Sequence, residues 1–238
     1  MCSNRVHASF FFNQIFRCVT FNSQLSIRAV LHRLIAEGEH QQQDFKYEIS
    51  DARKIARTLS AFANTDGGRL LIGVKDNGKI AGVRSDEEIY MVEAAATMYC
   101  TPPVACHMSV HREEGHNVVI AEVEATEKLP VRAQLEDGKL CAFVRIADEN
   151  IVASPVQMAL WREATDDAGT LLSFSQREQS LLRLIVEAQE PLTLNRFARL
   201  GRLPRHRAVQ LLAQFIRFGL VKQQFVGHTF VYVAAPEP

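Results

Sequence analysis

Residues 51–83, DARKIARTLSAFANTDGGRLLIGVKDNGKIAGV, restrict the fold more than any other stretch of the chain. Ile55, Leu59 and Phe62 recur at helical spacing, which gives one apolar helix face, and Ser50 is positioned to cap its start. Gly67-Gly68 ends that helix, since glycine accepts the positive φ that a helix C-terminus requires. RLLIGV then reads as a buried strand, KDNGK as a tight turn around Asn-Gly, and IAGV as the returning strand. The order helix, glycines, strand also bears on chemistry. Phosphate loops place glycines after a strand and before a helix, so that the positive end of the helix dipole faces the anion. Here the glycines follow a helix C-terminus, whose partial charge repels phosphate.

The flanking segments predict an α+β fold. Ser26–Glu37 carries Ile27, Val30, Leu31, Leu34 and Ile35 as an amphipathic stripe, and Gly38 stops it. QQQDFKYEI is short and extended. Ser85 and Glu88 predict a capping box for a helix reaching about Cys100, closed by Pro102-Pro103. Strands are expected at 104–112 and 117–125, then a hairpin over VRAQLEDGKLCAFVRI, then a short helix from Ser154-Pro155 to Trp161. No regular βαβ alternation appears.

The last 65 residues read differently. Ser175 and Glu178 form a second capping box, and the helix they open carries Leu181, Leu182 and Ile185. Thr193 caps a short helix, and Pro204 starts a third with Leu211, Leu212 and Phe215 turned inward. LVKQQFVGHTFVYV alternates as two strands turning at Gly227-His228. Three helices and a hairpin make a winged helix-turn-helix pattern. We therefore divide the chain into an extension (1–24), an α+β domain (25–165), a linker (166–173) and a winged-helix domain (174–234).

Charge follows this division. The formal net charge is zero, yet residues 174–238 hold nine Lys/Arg against four Asp/Glu, and the first 173 hold eighteen against twenty-three. A basic end on an acidic body suits a polyanionic partner. Arg199, Arg202, Arg205, His206 and Arg207 crowd the turn before the third helix and its first residues, where this module meets the major groove. Lys222 joins them as a backbone-phosphate contact. The alternative is a solvated positive surface that mediates protein contacts. Five scattered cysteines without a CxxC pair argue against a disulfide framework and a zinc site, and fit a reducing cytoplasm. No apolar run reaches membrane-spanning length. The FFF of the N-terminus is interrupted by Asn13, Gln14 and Arg17, so it reads as a loosely packed or poorly ordered extension and not as a signal peptide.

The carboxylates offer a second chemistry. Glu39 and Asp44 flank a strand start, Lys46 follows, and Asp76 sits in the glycine hairpin. Gathered together, three carboxylates can hold a divalent cation at a phosphodiester, with the lysine steadying phosphate charge. The alternative is that these are ordinary surface and turn carboxylates.

GEHQQQDFK, LSAFANTDGGRLLIGVKDNGKIAGV and FVRI together resemble the Schlafen AlbA-type domain over about residues 30–165, most closely in 61–83. Bacterial relatives pair this domain with a C-terminal winged helix and are described as DNA-binding regulators, many with an ATP-binding label. Some animal Schlafens are metal-dependent RNases acting on tRNA or rRNA with a carboxylate triad. By motif position Glu39, Asp44 and Asp76 are the counterparts of that triad, with Mg²⁺ or Mn²⁺ as the implied metal. Asp44 departs from the Glu usual before FK, which shortens its reach by one methylene. The RNases also use duplicated lobes around a basic cleft, which a single acidic copy imitates only as a homodimer. The expectation is thus a cytoplasmic, homodimeric nucleic-acid-binding regulator with DNA favoured over RNA. Its rivals are a nuclease and an ATP-responsive switch.

Overall fold

The computed structural model describes residues 21–163 and 174–236. Helix α1 (Phe21–Glu37) leads to β1 (Gln43–Lys46), α2 (Ala52–Ala63), β2 (Gly68–Ile72) and α3 (Glu87–Thr97). Strands β3 (Cys100–Thr101), β4 (Cys106–Glu113), β5 (His116–Val123), β6 (Arg132–Gln134), β7 (Leu140–Ile146) and β8 (Glu149–Val152) follow, then α4 (Pro155–Glu163). The remainder is α5 (Gln176–Val186), β9 (Leu192–Thr193), α6 (Leu194–Leu200), α7 (Arg205–Arg217), β10 (Val221–Val226) and β11 (Thr229–Ala234). Three sheets result, ordered β1-β2-β5-β4, β3-β6-β7-β8 and β10-β11-β9. β1 and β2 pair in parallel and the other strand pairs are antiparallel. The mixture of helices with largely antiparallel sheets is α+β, as the sequence predicts.

Helix α2 organises the first two sheets. Ile55, Leu59 and Phe62 are buried in one cluster with Leu70 and Ile72 of β2, Val119 and Ala121 of β5, and Phe143 of β7. On the opposite face of the first sheet, Leu31 and Leu34 of α1 pack on Phe45, Leu71, Val118 and Ile120. The glycines after α2 have steric reasons. Gly67 has φ +70°, and a Cβ on Gly68 would lie 2.5 Å from the Phe62 ring. Tight apposition of strand to helix sets glycine at position 68.

Several local expectations are corrected. The α2 cap is Asp51, whose side chain accepts from the Arg53 N–H, one residue later than expected. IAGV does not return as a strand, and Val74 and Ile80 meet only in an isolated bridge. Gly73, at φ +90°, instead accepts from the Ala81 and Gly82 amides and closes a loop, so β2 takes β5 as its antiparallel neighbour. Ser85 makes no capping box, since α3 starts after Asp86 without a side-chain cap bond. Glu88 faces inward and accepts from the Ile49 and Arg84 amides. Helix α1 begins at Phe21, so residues 21–24, read as extension, are helical. The rest of that extension and the 166–173 linker lie outside the described residues.

In the C-terminal part the expected Ser175–Glu178 capping box is present, and Thr193 accepts from the Arg196 N–H at the start of α6. Leu181, Ile185, Phe197, Leu211, Leu212 and Phe215 form one apolar cluster. Val156 and Ala159 of α4 belong to the same cluster, so α4 packs on α7 although its sequence places it before the linker. The β10–β11 hairpin also meets the first part of the chain. Phe230 packs with Ala142, Val144, Ala153 and Trp161, and the Ser154 hydroxyl donates to Gln223 at 2.8 Å.

Candidate nucleic-acid interface and carboxylate site

The parallel β1–β2 pair and the turn before it bring two of the three expected carboxylates together. Glu39 accepts from the Phe45 N–H at 2.9 Å and lies against Asp44. Burial, and secondarily the Asp44 carboxylate, push the Glu39 carboxyl above its ordinary range, while the Phe45 amide and Lys46 oppose the rise. Asp76 stays in the exposed turn between Lys75 and Lys79. Among the described residues no three His, Cys, Asp or Glu side chains gather into a group that can hold a metal ion. The arrangement therefore differs from the expected triad of Glu39, Asp44 and Asp76.

Asp44 is also already neutralised. Lys46 Nζ lies 2.9 Å from one carboxylate oxygen, and Arg145 lies 3.3 Å from the other. Arg145 is the largest fully buried side chain among the described residues. Its guanidinium donates to Asn150 at 3.0 Å and to the Gln43 carbonyl at 3.1 Å, and it stacks 5.3 Å from the Phe62 ring centroid. Asn150 donates to Thr58, and Thr58 reaches Asp44 at 3.5 Å, so four side chains close a ring of polar contacts. A cation at Asp44 would have to displace two positive side chains from a site where the charges are mutually satisfied. Sequence reading missed Arg145 as a partner of Asp44. FVRI signals a strand, but the pair is separated by 101 positions.

Asn64, Ser60 and Thr65 of the AFANT stretch are structural ties. Asn64 donates to the Val131 and Phe143 carbonyls and accepts from the Val131 N–H, each at 2.8 Å. Ser60 donates to Val131, and the Arg145 N–H donates to Thr65. These contacts fasten β7 and the start of β6 to α2.

The basic residues lie elsewhere, and all six are exposed. Arg199 lies in the last turn of α6, Arg202 occupies the turn at φ +49°, and Arg205, His206 and Arg207 open α7. Lys222 is on β10. Arg205 donates to Asn195 at 2.7 Å, and Arg207 reaches Glu178 at 3.2 Å. Arg199, Arg202, His206 and Lys222 have no side-chain partner among the described residues. The first turn of α7 contains no acidic residue. Two arginines at a helix N-terminus oppose the helix dipole by roughly 0.3–1 kcal/mol each, and an anion brought to that end relieves the conflict.

Among the described residues no helix is long and apolar enough to cross a membrane. No curated protein matches the chain significantly. The crystal structure of the DIP2311 protein from Corynebacterium diphtheriae is similar over 88% of this chain and 39% of its own, with 16% identity and a TM-score of 0.45. This chain thus spans about two fifths of that protein's length. A solution structure of the N-terminal domain of an ATP-dependent DNA helicase RecG-related protein from Nitrosomonas europaea is similar over 61% of this chain and 96% of that domain. The identity there is 18% and the TM-score 0.38. Residues 39–154 match the family model described as Schlafen, AlbA_2, and this part of the chain is a Schlafen AlbA_2 domain.

Proposed function

We propose that the protein is a nucleic-acid-binding regulator, acting on DNA through a C-terminal winged helix attached to its Schlafen AlbA_2 domain. The observation that carries this reading is the start of α7. Arg205, His206 and Arg207 stand exposed there while Leu211, Leu212 and Phe215 of the same helix are buried. The element order α5, β9, α6, α7, β10, β11 and the sheet order β10-β11-β9 support the winged-helix assignment. In this reading α7 enters a major groove, Arg205 and Arg207 meet base edges or phosphates, and Arg199, Arg202 and Lys222 follow the backbone. Binding as a homodimer to two half-sites, in the cytoplasm, completes the proposal.

The nuclease reading is not favoured, because Lys46 and Arg145 already neutralise Asp44 and Asp76 stands apart. An ATP site on the AlbA_2 glycines is not favoured either, since Gly68 answers to the Phe62 ring.

The test is binding to genomic DNA fragments across a salt series, comparing the wild type with Arg205→Ala/Arg207→Ala. The variant should lose about 1–3 kcal/mol per arginine and flatten the salt slope by about one for each phosphate contact removed. Unchanged affinity and slope in a folded variant would reject the assignment.

A further inference from the structure

A groove of about 320 Å³ runs between the AlbA_2 domain and the C-terminal unit, within the size range of small-molecule sites. Its floor and walls come from both parts of the chain. Val152–Pro155 supply one part of the lining, Leu194 and Asn195 a second, and Phe230 and Tyr232 of the hairpin a third, with Arg205 from the start of α7. Among the described residues no Asp or Glu lines it, and Arg205 is the one charged residue of its lining. One guanidinium nitrogen of Arg205 is held by Asn195, which fixes the direction of the fork. Ser154 and the buried Tyr232 hydroxyl both donate to Gln223, so the polar floor is tied to the hairpin. Leu194 and Phe230 give the groove apolar walls beside its single positive charge.

We propose that this junction groove binds a small organic acid, its carboxylate on Arg205 and its apolar body between Leu194 and Phe230. An arginine fork pairs two parallel N–H donors with a carboxylate, while the walls favour a compact ring or branched chain. Arg205 also belongs to the start of α7, so an acid on its guanidinium competes with DNA for the same side chain. That regulatory consequence rests on the DNA-binding reading above, whereas the binding site itself does not. Phe230 touches the groove and also packs in the cluster of Trp161, the sole tryptophan. Occupancy is therefore readable without DNA.

The test titrates the full chain with benzoate, with its neutral amide benzamide and with inorganic phosphate, following Trp161 emission. Benzoate should give a saturable change in the millimolar range, benzamide none, and phosphate a response at least about tenfold weaker. Thr229→Phe narrows the groove at an exposed lining position, and Arg205→Gln removes the charge. Each should weaken benzoate binding about tenfold or more, and Lys222→Ala should leave it unchanged. Equal binding of benzamide, binding that survives both groove variants, or no saturable change with benzoate overturns the site. With DNA present, benzoate should lower the affinity of the wild type and leave that of Thr229→Phe unmoved. A DNA affinity that bound benzoate does not shift overturns the control exerted through Arg205. Absence of DNA binding by the untreated wild type counts against the regulator reading alone, because benzoate binding is read separately.

Discussion

The two parts of the chain stabilise themselves by different means. Among the described residues, the buried polar and charged side chains other than tyrosine, such as Gln43, Asp44, Thr58, Ser60, Asn64, Glu88 and Arg145, all precede α4. Between Phe174 and Pro236 the buried residues are aliphatic or aromatic, with the Tyr232 hydroxyl as the polar group. Backbone geometry accounts for the contrast. The C-terminal unit consists mainly of helices, whose amides bond within the element, and a tight hairpin. The AlbA_2 domain joins two sheets through turns and bridges, and its buried amides and carbonyls need side-chain partners. Asn64, Ser60 and Thr65 supply them to Val131, Phe143 and Arg145. One part thus holds several charges inside as structure, and the other keeps its charges outside, where a polyanion can reach them.

The strongest way to break this contrast is to remove Arg145. Arg145→Ala leaves Asp44 buried with Lys46 as its remaining cation, and should destabilise the domain by about 3–5 kcal/mol. Pairing apolar replacements, Arg145→Met with Asp44→Leu, should recover most of the loss, because neither charge is then left unpaired. In the C-terminal unit Leu212→Ala should also cost about 2–5 kcal/mol, through a cavity that no polar partner can relieve. Urea unfolding followed by far-ultraviolet circular dichroism measures all three. A double variant no more stable than Arg145→Ala would show that the ring with Thr58 and Asn150 matters beyond charge pairing.

A smaller effect separates side-chain ties from helix caps. Asn64→Ala removes partners from two carbonyls and one amide, and should cost about 1–3 kcal/mol for the groups left unsatisfied. Ser175→Ala in the C-terminal unit loses one cap on an exposed helix start, worth about 0.5–2 kcal/mol. Equal losses from the two changes would erase the distinction between side-chain ties and helix caps.

What could be read in the sequence follows the range of the forces involved. The apolar faces of α2 and α7, the Ser175–Glu178 box and the β10–β11 turn depend on residues within a few positions, and periodicity exposes them. IAGV failed for the opposite reason. Its alternation fits a hairpin, yet β2 pairs across its length with β5, nearly fifty residues downstream, and the glycines at 73 and 82 turn the intervening chain aside. The carboxylate site was legible as residues and not as a constellation. Glu39 and Asp44 are close in sequence and meet, whereas the partner that decides the chemistry of Asp44 comes from β7. The same holds for the junction groove, whose walls are drawn from segments as distant as Val152 and Tyr232.

The finest test concerns Glu39, whose carboxyl is raised chiefly by burial beside Asp44. A raised carboxyl in the folded state means that the native protein holds this proton more tightly than the unfolded chain does. The native state therefore carries the extra proton over the interval just above the ordinary carboxylate range. Stability contributed by Glu39 falls as pH rises through that interval, opposite in sign to the behaviour of a salt-bridged acid. Glu39→Gln keeps an acceptor for the Phe45 N–H and removes the titration. The wild type minus Glu39→Gln difference in urea midpoint should decline as pH rises above the ordinary carboxylate range and then level off. A difference that grows over the same range would mean that the Lys46 and Phe45 contacts outweigh burial. Glu39 would then be one more partnered acid beside the buried Asp44–Arg145 pair, and the contrast between the two parts of the molecule would widen.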